Sequence, residues 1–120
     1  MTDIEFCENV AKRVWRWTVS RPTKYRLRWS YGAVDGGEYY NDQFICEVNS
    51  WQGFGRTVEA MTESGFTLDI DCIESHFSKC IGQDKDNEPI YVYGDCLFVD
   101  AGGIIKATHQ AALDAVKGEG

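Results

Sequence analysis

Cys72, His76 and Cys80 recur at intervals of four and carry the thiol and imidazole donors that zinc prefers. On a continuous helix that spacing would align them, but the local pattern reads strand, turn, strand. A fourth ligand would have to come from Cys96, His109 or a carboxylate. Thiols spread in this way ordinarily serve as small buried hydrophobes, and no metal is assigned. Asp69 and Asp71 would share one face of a strand, as do carboxylates that hold a divalent ion for phosphodiester chemistry. The wet face of any antiparallel strand looks the same, and no lysine, histidine or third acid stands at a recognisable spacing. Asp84, Asp86 and Glu88 open like a calcium loop, yet Pro89 occupies the position that needs glycine, so a solvated hairpin is expected. Gly53 and Gly55 could offer amides to a phosphate, but the fingerprint is incomplete and no Lys-Ser or Lys-Thr follows. The two histidines, His76 and His109, have no clear nucleophile and orienting acid beside them; Cys80 with His76 is the nearest to a catalytic pair. No catalytic residue and no cofactor is assigned.

The elements that would position these groups follow from periodicity. Thr2 and Glu5 have capping-box spacing, and Phe6, Val10, Val14 and Trp17 then recur on one face, predicting a helix over 3–18. Pro22 ends it. From Lys24 the pattern alternates: Tyr25, Leu27 and Trp29 point inward, and Lys24, Arg26 and Arg28 outward. Gly32, Gly36 and Gly37 mark an acidic, aromatic loop that contains Glu38, Tyr39, Tyr40 and Asp42. A second helix is predicted over 50–64, capped by Asn49 or Ser50, buried through Trp51, Phe54, Val58 and Met61, and ended by Gly65. Phe66, Leu68, Ile70 and Cys72 form the inner face of a strand, followed by a weaker strand over 75–81. Gly82 to Pro89 is a turn, and 90–99 is extended, with Gly94 permitting a bulge. After Gly102 and Gly103, Ile104, Thr108, Ala111, Ala112 and Ala115 form a helical face. The reading is one α+β domain over 1–120: an antiparallel sheet of three to four strands packed with helices, in the order α-β-α-β-β-β-α.

Composition sets the class. The chain has 120 residues, 43% of them hydrophobic, and only two prolines, values of a globular domain. No segment has the ~20 apolar residues of a membrane span, and the first residues lack the form of a secretory signal. A cytosolic setting is expected. Cys7, Cys46, Cys72, Cys80 and Cys96 are odd in number and dispersed, which suits buried reduced thiols better than a disulfide framework. The net charge is −7, unevenly distributed: residues 1–28 hold seven basic and three acidic side chains, and residues 29–120 hold five basic and sixteen acidic. Such a balance argues against duplex DNA and anionic membranes as partners of the molecule as a whole.

The segments Asn9–Trp17 (NVAKRVWRW), Trp51–Phe66 (WQGFGRTVEAMTESGF) and Ala107–Val116 (ATHQAALDAV) resemble the bacteriophage ABA sandwich family of small phage proteins. The resemblance implies an antiparallel sheet covered by helices and a phage source, and it supplies no activity. Ser20–Tyr40 and Gly102–Ile105 depart from the family pattern. Helix, three strands and an alanine-rich helix is also the order of double-stranded RNA-binding domains, but the last helix here offers Lys106 where those domains place a basic cluster.

Two binding roles follow as expectations. In the first, the chain is a non-enzymatic phage accessory protein in the cytoplasm of an infected bacterial host. It would present Asp35, Glu38, Asp42, Glu47, Asp69, Asp71, Asp84, Asp86 and Glu88 to a host protein with a basic surface, as an inhibitor of a defence system would. Its basic segment would pair with acids of the same molecule or of another copy, giving a homo-oligomer. In the second, Arg26 and Arg28 beside Trp29 bind a nucleotide or single strand by charge and stacking. A metal-dependent hydrolase at Asp69 and Asp71, or at the Cys72 cluster, is the third reading.

Overall fold

The computed structural model describes residues 1–118, apart from the side chain of Asp35. Thr2 caps α1 (Asp3–Asn9): its hydroxyl accepts from the Glu5 amide at 3.3 Å, and the Glu5 carboxylate accepts from the Thr2 amide at 3.4 Å. The helix then widens into a π-helical turn, Val10–Val14, in which the Trp15 amide donates to the Val10 carbonyl at 3.1 Å. Arg16 follows with a left-handed backbone (φ 65°), so the helix expected to reach residue 18 ends by Trp15. This exit turns Trp15 into the core, where its indole N–H donates to Thr57 Oγ1 at 2.8 Å.

Three antiparallel strands come next, where one strand and a loop were expected: β1 (Thr18–Thr23), β2 (Arg26–Tyr31) and β3 (Val34–Tyr40), in that order. Leu27 is buried and Trp29 half-buried, as alternation predicts, whereas Tyr25 sits in the β1–β2 turn and is exposed. Gly36 and Gly37 are strand residues. A Cβ on Gly36 would come within 1.7 Å of the Trp29 carbonyl oxygen, and Gly37 pairs with Trp29 in register with the indole over it. Close packing on a tryptophan, and not turn geometry, is what these glycines serve. Trp29 stacks on Trp17 at 4.2 Å, and Tyr39 leads on to Phe44 at 5.6 Å, so the inner face of this sheet meets the helices through aromatic rings.

Helix α2 (Asn41–Val48) leads into α3 (Trp51–Glu63), capped by Ser50, whose hydroxyl accepts from the Gly53 amide at 3.1 Å, and followed by Gly65 at φ 91°. The buried face of α3 is Gly53, Thr57 and Met61, while Trp51 is 65% exposed. The expected stripe is rotated because polar Thr57 turns inward to meet Trp15 and His109.

The second sheet is β4 (Thr67–Ile70), β5 (Glu74–Gln83) and β6 (Pro89–Leu97), antiparallel and in that order. Short α4 (Phe98–Ala101) precedes α5 (Ile104–Gly118), which packs on β5 and β6. Thr108, Ala111, Ala112 and Ala115 are buried as the helical face predicts. Gly94 is no bulge: a Cβ there would come within 2.1 Å of the Ala111 carbonyl and 2.4 Å of the Ala115 amide, so the glycine lets α5 lie on β6. The register irregularity falls between Cys80 and Gly82 instead. Ile70 and Cys72, placed inward by alternation, are exposed, because β4 is an edge strand ending at Ile70, where Asp71 bends the chain. The protein is α+β with antiparallel sheets, in an order close to that expected, and the strands form two sheets of three.

Candidate functional site

Alternation along β4–β6 divides the second sheet into two faces. Leu68, Ser75, Phe77, Gly94 and Cys96 face the helices, with Phe77 fully buried and Ser75 Oγ 2.7 Å from Thr108 Oγ1 of α5. On the other face, the strand register sets Asp69 opposite His76 and His76 opposite Asp95, a row across all three strands. His76 Nδ1 lies 3.7 Å from Asp95 Oδ2, and its ring stacks on Tyr93 with centroids 5.7 Å apart. Tyr91 and Tyr93 are 57% and 61% exposed, and Asp69 and Asp95 are exposed beside them. Tyrosine rings with polar tips thus lie exposed beside unburied carboxylates on this face.

At the end of this sheet, the β5–β6 turn is ordered by Asp84, whose Oδ1 accepts from the Asp86 amide at 2.8 Å and the Glu88 amide at 3.0 Å. Asp84 thereby closes its own turn, in place of the calcium-loop role its spacing resembles, and Asp86 and Glu88 remain exposed. Asp71 behaves similarly. Its Oδ1 accepts from the Ile73 and Glu74 amides at 2.7 and 2.9 Å, and these bonds hold its carboxyl below the ordinary range. It therefore closes a turn instead of standing beside Asp69.

The other acids lie around the first sheet and α2. Glu38 is directly opposite Arg28 and accepts from its Nε at 3.0 Å, with Arg26 Nη1 at 3.6 Å; the Arg28 hydrogen bond lowers the Glu38 pKa. Glu47 pairs with Arg56 at 2.6 Å, and Asp42 is exposed in the first turn of α2. Glu38, Asp42 and Glu47 border one shallow hollow with Tyr39 and Cys46. The side chain of Asp35 lies outside the described residues. The eight described acids thus form two groups, and the sequence reading missed Asp95, which the parity of Tyr91, Tyr93 and Asp95 along β6 could have supplied.

Arg26, Arg28 and Trp29 are not brought to one face. The two arginines point outward toward Glu38, whereas Trp29 points inward and is stacked by Trp17. Elsewhere in the basic segment, Arg21 binds Glu8 and donates to Asn41 Oδ1 at 2.5 Å, and Lys12 lies 3.8 Å from Glu8. These cations are partnered by acids of the same molecule. Cys72, His76 and Cys80 occupy a loop and two positions along β5, and no three His, Cys, Asp or Glu side chains among the described residues are gathered to hold a metal ion. Of the cysteines expected inside, Cys7 is buried and Cys96 half-buried, whereas Cys46, Cys72 and Cys80 are exposed.

No family model, curated protein or solved structure matches the chain. The resemblance to the phage family therefore rests on the sequence segments that carry it. Among the described residues, no helix is long and apolar enough to cross a membrane.

Proposed function

We propose that this chain is a binding protein that docks the open face of its second sheet on a basic segment of a host macromolecule. The row Asp69, His76 and Asp95, flanked by exposed Tyr91 and Tyr93, is the observation that carries this reading. Asp86 and Glu88 at the hairpin tip extend the same negative character, and the net charge of −7 favours encounter with a cationic partner. Arginine-rich segments match the face best, since a guanidinium pairs with a carboxylate and stacks on a tyrosine in one contact. The resemblance to phage ABA sandwich proteins supports an infected bacterium as the setting, and the acidic surplus supports a defence protein with a cationic, phosphate-binding groove as the target. The acids would there stand in for the phosphates.

The test is an NMR titration of the full chain with an oligoarginine peptide. Amide shifts concentrated on 67–70, 74–80 and 91–97 are expected. Shifts centred on Arg26, Arg28 and the first sheet would contradict the reading.

A further inference from the structure

Three of the sheet edges are short or broken. β1 carries Arg21 and Pro22 and its register shifts between Ser20 and Thr23, the β2–β3 register shifts between Trp29 and Tyr31, and β4 has 4 residues. β6 differs: it has 9 residues, a proline only at its first position, no lysine or arginine, and regular pairing from Tyr91 to Leu97. Exposed edges of this length are normally blunted by charge, proline or a bulge, because their free backbone groups template another strand.

The direction of those groups follows from one bond. The Phe98 amide donates to the Ile73 carbonyl at 2.8 Å, and along an antiparallel ladder residues alternate between bonding their partner and facing away from it. By that alternation Cys96, Gly94 and Val92 bond to β5, and Asp95, Tyr93 and Tyr91 turn their N–H and C=O groups to the free edge. Among the described residues no other backbone group pairs with them there. Helix α5 passes directly over Gly94, where a Cβ would come within 2.1 Å of the Ala111 carbonyl oxygen. A helix with its side chains is about 10–12 Å across and strands lie ~4.8 Å apart, so α5 overhangs the place of a fourth strand. A second copy pairing along the length of β6 would force two such helices closer than the roughly 8–10 Å at which helices pack. The surroundings are acidic: burial and then Asp100, Asp114 and Asp95 raise the Cys96 pKa, which places three carboxylates around this end of β6. None of the three forms a salt bridge with a lysine or arginine among the described residues.

We propose that the β6 edge takes up an extended, arginine-rich segment of a partner protein as an antiparallel fourth strand of the second sheet. This rests on the docking face proposed above and specifies how the basic segment is held. Partner residues opposite Tyr91, Tyr93 and Asp95 direct their backbone groups to β6 and their side chains to the open face, so these are the arginines. The residues between them point beneath α5, on the side of Val92, Gly94 and Cys96. Main-chain bonds supply affinity, and the alternate side chains supply specificity.

The experiment is an NMR titration of the full chain with three octapeptides of alternating arginine and valine: unmodified, N-methylated at the arginines, and N-methylated at the valines. The unmodified peptide should slow hydrogen exchange of the Tyr91, Tyr93 and Asp95 amides. N-methylation at the valines, whose amides face away from β6, should leave affinity unchanged, and N-methylation at the arginines should weaken it about tenfold or more. Every change is in the peptide, so the fold of the protein is the same throughout. Equal weakening by the two modifications, with shifts still on the open face, would overturn strand addition and leave the docking face standing. No binding of any peptide would overturn both. Protection of these amides that rises with the concentration of the free protein would assign the edge to a second copy and overturn the proposal.

Discussion

Thr57 Oγ1 lies 2.8 Å from His109 Nδ1 in the fully buried centre of the protein, and the direction of this hydrogen bond is fixed by its neighbours. His109 Nε2 is 2.6 Å from the Val48 carbonyl, which can only accept, so Nε2 carries the proton and Nδ1 accepts from the Thr57 hydroxyl. The Thr57 oxygen in turn accepts from the Trp15 indole. One polar chain therefore ties the π-helical exit, α3, α5 and the end of α2 together.

Thr57→Val removes the link and leaves the Trp15 N–H and His109 Nδ1 unpartnered. Each orphan costs about 1–3 kcal/mol, so urea unfolding should show a loss of about 2–6 kcal/mol. Thr57→Ser keeps the hydroxyl and should lose far less. Equal losses for the two variants would mean that the methyl group, and not the chain of hydrogen bonds, carries the stability.

Acid should act through the same histidine. Burial lowers the His109 pKa from 6.5 to about 4. Between those values the unfolded chain binds the proton and the folded one does not, so stability falls as pH drops from about 6.5 to about 4, by up to ~1.4 kcal/mol per pH unit. Above this window the contribution is constant. Glu38 and Asp71, whose pKa values are also lowered, add their losses at more acidic pH. Denaturant unfolding across pH 4–7 checks the window, and His109→Gln should flatten it. An unchanged slope in that variant would assign the acid sensitivity to other groups.

Two glycines should respond oppositely to a methyl group. Gly94→Ala drives a Cβ into the α5 backbone and should cost about 3 kcal/mol or more. At Gly55, in the middle of α3, a Cβ meets nothing within 4 Å, so Gly55→Ala should gain about 0.5–1 kcal/mol from helix propensity. Urea midpoints of the two variants measure both.

Much of the fold was legible where one face of one element was apolar. The capping box at Thr2, the limits of α3 and the alanine face of α5 follow from local pattern and appear as expected. The failures share a cause: a residue type read as local punctuation serves a distant contact. Gly36 and Gly37 look like a loop because nothing nearby in sequence shows that Trp29 must pass over them. Thr57 looks like the outer side of α3 because its partners are 42 and 52 positions away. The site was legible in part. Asp69 is where alternation puts it, but its row needs His76 and Asp95 from two other strands, and register between strands is not written in either strand alone. Asp71 and Asp84 carry the same charge as Asp69 in sequence, and only their turns show that they are engaged with their own backbone.

The central claim is that Asp69 and Asp95, with the tyrosines beside them, form a docking face for a cationic partner. Affinity for an oligoarginine peptide, measured against salt concentration for the wild type and for the Asp69→Asn, Asp95→Asn double variant, tests it most directly. Wild-type affinity should fall steeply as salt rises, and the double variant should bind more weakly with a flatter salt dependence. Equal affinity and equal salt slopes for the two proteins would contradict it.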